Sequence, residues 1–130
     1  MKIKDVMIKD PITAHPNESV VEVAKRMVEK GISSILIVDK GRLVGIATER
    51  DFMDRIVAKA LNPRETKISD IMTKDPVCIS SDASIFEALR ILNINKFSQL
   101  PVVDNGKLVG IVALSDLTNL LAKFILASRV

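Results

Sequence analysis

Apolar positions in the first half of the chain change from helical to strand-like spacing. Ser19-x-x-Glu22 is a capping box, and the apolar residues that follow it recur at the three- and four-residue spacing of one helix face. The run Ile35–Val38 is too short for a helix and rich in β-branched residues, so it predicts a buried strand. A turn then leads to a second strand, Leu43–Thr48, and apolar positions between Phe52 and Ala60 predict a second helix.

The same pattern returns 65 residues later. Lys2–Leu61 aligns without a gap on Lys67–Leu126, and 19 of the 60 aligned residues are identical. Short strands at Ile12–Ala14 and Val77–Ile79 precede the first helix of each copy. The sequence therefore predicts an α/β (α+β) protein of two pseudo-symmetric β-α-β-β-α units, with domains at 1–61 and 62–130. A repeat of about 60 residues is marginal as an independent domain, so we expect the two copies to share a core.

The helices of the two copies differ at their predicted ends. Gly31 can take the left-handed conformation that ends the first helix. Lys96 stands at the matching position of the second copy, where we expect a different ending.

Composition excludes several classes of protein. Aromatic residues make up 3% of the 130 residues, without Trp or Tyr, which removes the usual stacking platform of single-strand nucleic-acid binders. One cysteine and one histidine exclude an internal disulfide, a multi-cysteine zinc site and a His-rich metal centre. The net charge of +3 comes from interleaved charges rather than a basic arm, so we do not expect nucleic acid as a partner. No apolar run is long enough for a membrane span, and we expect a cytoplasmic protein that is not an enzyme.

The strand-to-helix junction of each copy offers candidate chemistry. A helix N-terminus favours a phosphate group, Thr48 adds a hydroxyl, and Asp51 has two acceptor oxygens that match a ribose diol. The same Thr48-x-x-Asp51 spacing also fits a capping box without any ligand. The second copy keeps Asp116 but has Ala113 in place of the threonine, and Ser115 is a candidate cap there.

The duplicated unit resembles the CBS domain family, named after cystathionine β-synthase. Its markers are the openings at 5–7 and 70–73, the strand at 100–104, and the Gly-to-Asp segments at 45–51 and 110–116. The resemblance implies two units packed sheet-to-sheet as one compact module, with clefts that bind AMP, ADP, ATP or an S-adenosyl compound. It also implies a regulatory role without catalysis, metal or catalytic cofactor, and pairing of two modules as a homodimer.

The resemblance also implies which positions line each cleft. In the first it assigns the phosphate to Thr48 and the diol to Asp51, and the remaining wall residues are Ile46, Thr73, Pro76, Val77, Cys78, Leu100, Pro101 and Val102. In the second and weaker cleft the positions are Ile12, Thr13, Ile35, Leu36, Ile111 and Asp116. Many of these aliphatic residues also suit an ordinary core.

Several residues keep two interpretations open. Lys9, Arg50, Arg64 and Lys74 are phosphate partners or solvated surface charges. The apolar final helices predict a homodimer, with the alternative that 124–126 folds back on its own core. Because the pattern contains no effector domain, transmission of ligand occupancy would need a separate protein. The competing hypothesis is a structural dimerisation module with clefts that bind nothing.

Overall fold

Two compact units make up the computed structural model, which describes Met1–Ser128. The contiguous unit is Ile12–Pro76. The split unit combines Met1–Pro11 with the chain from Val77 onward. Arg129 and Val130, the last residues of the predicted second domain, lie outside the described residues.

The contiguous unit is a small sheet with helices. Its central hairpin joins two antiparallel strands; one edge of the hairpin adds a parallel strand and the other an antiparallel one. Its elements are β1 Thr13–Ala14, α1 Val20–Lys30, β2 Ser34–Asp39, β3 Arg42–Thr48, α2 Glu49–Phe52 with a π-helical turn Met53–Val57, a 3-10 turn Ile68–Asp70, and β4 Thr73–Lys74.

The split unit repeats this plan with less pairing at its edges. Its hairpin strands are antiparallel, Ile8 forms an isolated bridge with Ile111, and Ile79 forms a parallel bridge with Val102. Its elements are a 3-10 turn Ile3–Asp5, α3 Ile85–Asn95, β5 Gln99–Asp104, β6 Lys107–Ala113 and α4 Leu114–Ala127. The predicted mixed α/β class is confirmed.

Each unit has its own aliphatic core. In the contiguous unit the buried cluster is Ala14, Val20, Val23, Met27, Ile35, Ile37, Ala47, Ile56, Ile68 and Ile71. In the split unit it is Ile3, Ile79, Ile85, Ala88, Leu92, Leu100, Val102, Val112 and Leu117. The helical and strand periodicities therefore predicted the buried faces of α1, β2, α3 and β5.

The opening segments of the two repeats lie in exchanged units. Ile68 and Ile71 open the second repeat, but they are 0% and 1% exposed in the core of the contiguous unit. Ile3 opens the first repeat and is 0% exposed in the core of the split unit. The compact units are therefore out of phase with the repeats in the sequence.

Some local expectations were wrong. Lys96 ends α3 at φ 56°, in the same left-handed conformation as Gly31 (φ 65°), so both first helices end alike despite the residue change. The strand predicted at 77–79 reduces to the bridge at Ile79, because the neighbouring residues do not pair. Where the sequence predicts a helix over 52–60, the structure has the four-residue helix α2, Glu49–Phe52, and then the π-helical turn, Met53–Val57.

No helix formed by residues 1–128 is long and apolar enough to cross a membrane.

Candidate functional site

A buried aspartate lies where β3 runs into α2. Asp51 is 7% exposed, and Thr48 is the N-cap residue of α2. The Thr48 backbone N–H donates to Asp51 Oδ2 over 2.9 Å, and the Thr48 hydroxyl lies 3.3 Å from the same oxygen. The Asp51 backbone N–H donates back to Thr48 Oγ1 over 3.4 Å. These hydrogen bonds form a capping box, and they leave Oδ1 pointing to other partners.

The second carboxylate oxygen of Asp51 has looser partners. The Thr73 hydroxyl donates to Asp51 Oδ1 over 3.3 Å, and Arg55 Nε lies 3.8 Å from the same oxygen. Arg55 Nη1 also donates to the carbonyl oxygens of Ile71 and Met72, over 2.8 and 3.0 Å. Buried charge is stabilised by such pairing. Arg55 was missed at the sequence level, although its i+4 spacing from Asp51 was a usable signal.

A glycine allows the strand with Thr73 to approach β3 closely. Thr73 is paired with Ile46, and Lys74 with Gly45. A Cβ atom on Gly45 would meet Met72 Cγ at 2.9 Å and the Thr73 carbonyl oxygen at 3.0 Å, so a larger residue would push this segment away. Glycine at this position therefore brings Thr73 within reach of Asp51.

The matching junction in the split unit is less elaborate. Asp116 is exposed, whereas Asp51 is buried. Ala113 occupies the N-cap position of α4 without a side-chain hydrogen bond, so Ser115 is not the cap. The two junctions therefore differ in burial and in capping, and their ranking as ligand sites stays a prediction.

The other predicted site residues divide between the two units. Ile46, Thr48 and Pro76 are half-buried in the contiguous unit, where Asp51 is buried and Thr73 is exposed. The split unit holds Val77 and Cys78, which are exposed, and Leu100, Pro101 and Val102, which are buried. Of the second set, Ile12, Thr13, Ile35 and Leu36 lie in the contiguous unit and Ile111 and Asp116 in the split unit. Within one unit, the structure thus brings together Ile46, Thr48, Asp51 and Thr73.

The candidate phosphate partners lie on the surface. Lys9, Arg50, Arg64 and Lys74 are all exposed. Arg50 Nε donates to Asp54 Oδ2 over 3.1 Å in an exposed pair one helical turn apart. Such a pair contributes little to stability, so Arg50 can exchange it for an anion at small cost.

Glu18 and Asp104, two acidic side chains away from Asp51, are among the groups whose pKa is lowered. Side-chain hydrogen bonds from Arg26, opposed by desolvation, hold the pKa of Glu18 below its usual value. Hydrogen bonds from the Ser81 hydroxyl and backbone N–H lower the pKa of Asp104. These contacts fasten loops of their own units and identify Glu18 and Asp104 as structural groups.

An apolar groove of about 740 Å³ lies in the contiguous unit between α1 and the residues of α2 and the π-helical turn. Its lining residues are Val20, Val21, Ala24, Met27, Val28, Gly31, Ile32, Ser33, Glu49, Phe52, Ile56, Val57 and Pro63. In the split unit, Phe124, Ile125 and Leu126 of α4 are 52–64% exposed, so they do not fold back on their own core.

Comparison with known proteins gives one family. The CBS domain profile matches residues 3–58 and 68–123. The chain is 38% identical over 119 residues to an uncharacterized protein of Methanopyrus kandleri, which covers 90% of this chain and 61% of that protein. Against several other curated relatives the chain spans only about a fifth of their length.

Two solved structures of similar fold contain ligands. The crystal structure of CBSX2 in complex with AMP has a TM-score of 0.82 and 27% identity, covering 95% of this chain and 97% of that one. The CBS domain pair of protein MJ0100, in complex with 5′-methylthioadenosine and S-adenosyl-L-methionine, has a TM-score of 0.79 and 35% identity, covering 95% and 98%.

Proposed function

Since this chain belongs to the CBS domain family, we propose that it binds an adenosine-containing nucleotide at Asp51 and signals its occupancy to a partner protein. The observation that carries the proposal is the buried Asp51 carboxylate, which accepts hydrogen bonds from Thr48 and Thr73. The solved relatives in complex with AMP and with S-adenosyl-L-methionine support the choice of ligand class. In this proposal the chain is a regulatory protein of the cytoplasm and performs no catalysis of its own.

The two oxygens of Asp51 have different roles in the proposed complex. Oδ2 is occupied by the short bond from the Thr48 N–H, which caps α2 and fixes the side-chain rotamer. Among residues 1–128, the partners of Oδ1 are the Thr73 hydroxyl at 3.3 Å and the more distant Arg55. A ribose hydroxyl donating to Oδ1 replaces the 3.3 Å contact from Thr73, and the freed Thr73 hydroxyl is then available to the ligand. Hydrogen bonds to a charged acceptor contribute about 1.5–3 kcal/mol each.

The proposed ligands are AMP, ADP, ATP and S-adenosyl compounds, with the adenine held by residues of the other copy. The wall positions Pro76, Val77, Cys78, Leu100, Pro101 and Val102 remain predictions, as do Ile12, Thr13, Ile35, Leu36 and Ile111 for the weaker site. Leu100 and Val102 are fully buried, so their contribution would be to support the wall from behind.

Calorimetric titration tests the assignment. AMP, ADP, ATP and S-adenosyl-L-methionine are titrated into the wild type, Asp51→Asn and Asp116→Asn. We expect Asp51→Asn to weaken the tightest ligand about 10- to 100-fold, because it removes a charged acceptor. Asp116→Asn is the matched control and should change that affinity less than threefold. Absence of submillimolar binding by the wild type, or equal binding by Asp51→Asn, refutes the assignment.

A homodimer forms the second part of the proposal. The exposed apolar residues of α4 and the groove beside α1 are the surfaces that a second copy would cover. Val57 is 67% exposed at the rim of the groove, so Val57→Glu should shift the light-scattering mass from dimer to monomer.

The purely structural alternative predicts the same dimer without any thermal shift by nucleotides. In the ligand-binding proposal, a ligand at a hundredfold excess over its Kd raises the free energy of unfolding by about 2.7 kcal/mol.

A further inference from the structure

Arg55 connects two segments that are distant in sequence. Its Nη1 donates to the carbonyl oxygens of Ile71 and Met72, and its Nε lies 3.8 Å from Asp51 Oδ1. Thr73, which donates to the same carboxylate oxygen, is the next residue after the two anchored carbonyl groups. One guanidinium therefore fixes both the segment that carries Thr73 and the acceptor that Thr73 contacts.

The split unit builds the same backbone pairing without an arginine. At the 65-residue offset, Leu120 stands at the position of Arg55 and Ile8 at the position of Thr73. The bridge between Ile8 and Ile111 still forms, with N–O distances of 2.9 and 3.0 Å, while Leu120 packs against the core. An arginine is thus dispensable for docking the segment. What the contiguous unit gains from Arg55 is the placement of polar groups around Asp51.

We propose that Arg55 is a positioning residue that makes the Asp51 site selective for a ribose diol. It deepens the proposed function and depends on it. Arg55 holds the peptide groups before Thr73 in place when an incoming hydroxyl displaces the Thr73 side chain from Oδ1. It also keeps its guanidinium beside that oxygen, 3.8 Å from Nε, which holds the carboxylate in the orientation that an incoming diol would meet. The site around Asp116 lacks both functions, because the side chain of Leu120, at the position that matches Arg55, has neither a charge nor a hydrogen-bond donor.

The test compares ligands that differ only in the diol. Calorimetry measures the affinities of AMP and of 2′,3′-dideoxyadenosine 5′-monophosphate for the wild type, Arg55→Met, Arg55→Lys and Arg26→Met. Arg26 is the matched control, because its Nη1 also donates to a backbone carbonyl, that of Thr13, in the same unit. We expect Arg55→Met to lower AMP affinity about tenfold and the dideoxy affinity less than threefold, so the preference for the diol falls.

Arg55→Lys keeps the charge but cannot reproduce the fork of donors, so its diol preference should lie between those of the wild type and Arg55→Met. If Arg55→Met does not fold, the diol preference of Arg55→Lys is the measurement that tests the inference. Amide exchange of Thr73 and Lys74 in the ligand-free protein should accelerate in Arg55→Met and not in Arg26→Met.

Three results would overturn the inference. An unchanged diol preference in both Arg55 variants removes the positioning role. Equal losses for AMP and the dideoxy analogue assign Arg55 to stability alone. If the wild type binds no adenosine ligand, the proposed function itself fails, and this result is distinct from the other two because it precedes any variant.

Discussion

Ile68→Ala tests whether the opening of the second repeat supports the contiguous unit. Ile68 is 0% exposed in that core. Truncation removes three buried carbon atoms, worth about 0.8 kcal/mol each, and leaves a cavity. We expect the free energy of unfolding to fall by about 3 kcal/mol, out of about 5–15 kcal/mol for a domain of this size. Urea denaturation followed by circular dichroism measures the loss, since the chain has no Trp or Tyr.

The location of the damage is as informative as its size. Amide chemical shifts should change around Val23 and Ile35 of the contiguous unit. Glu29→Ala, at an exposed residue of α1 that does not line the groove, serves as the control with a loss below about 0.5 kcal/mol. Ile3→Ala should give the complementary map in the split unit. A loss below about 1 kcal/mol for Ile68→Ala, or shift changes centred on the split unit, would refute the exchanged assignment.

Three further changes address separate contacts. Gly45→Ala should cost about 1–3 kcal/mol by urea denaturation, because the new methyl group collides with Met72 and the Thr73 carbonyl; an unchanged midpoint contradicts this. Lys96→Gly should raise the free energy of unfolding by about 0.5–1 kcal/mol, because glycine takes the left-handed conformation that ends α3 with less strain than lysine. Any decrease in that free energy contradicts the prediction. Glu18 stabilises the fold above its ordinary pKa of 4.5 and loses that contribution as pH falls through its lowered pKa. Glu18→Gln should therefore flatten the acid side of the stability profile, and a profile parallel to the wild type contradicts the linkage.

Most of the secondary structure was predictable because each element carries a local signal. Ser19 and Ser84 cap α1 and α3, and the apolar runs form β2 and β5. The π-helical turn at 53–57 has no such signal, since its residues satisfy ordinary helical periodicity. The left-handed Lys96 was missed because duplication preserved the backbone while the residue changed.

The candidate site was predictable at its centre and less so at its edges. Thr48 and Asp51 are three residues apart, so their hydrogen bonds follow from helix geometry. Thr73 meets Asp51 across 22 residues, and only the family resemblance indicated it. The anchoring of Ile71 by Arg55 depends on a non-local approach of backbone that no periodicity encodes. Which unit receives an opening segment is equally invisible, because Ile3 and Ile68 occur in the same motif.

The compact units do not coincide with the sequence repeats, and this determines which unit can complete its core first during synthesis. All residues of the contiguous unit, Ile12–Pro76, follow one another along the chain, so its core is complete once that stretch has left the ribosome. The split unit needs Met1–Pro11 together with the chain from Val77 onward. Met1–Pro11 are therefore made first, but the rest of the split unit is made only after the contiguous unit is complete. Bringing these two stretches together closes a loop that spans the whole contiguous unit, and the entropy of that closure opposes formation of the split unit.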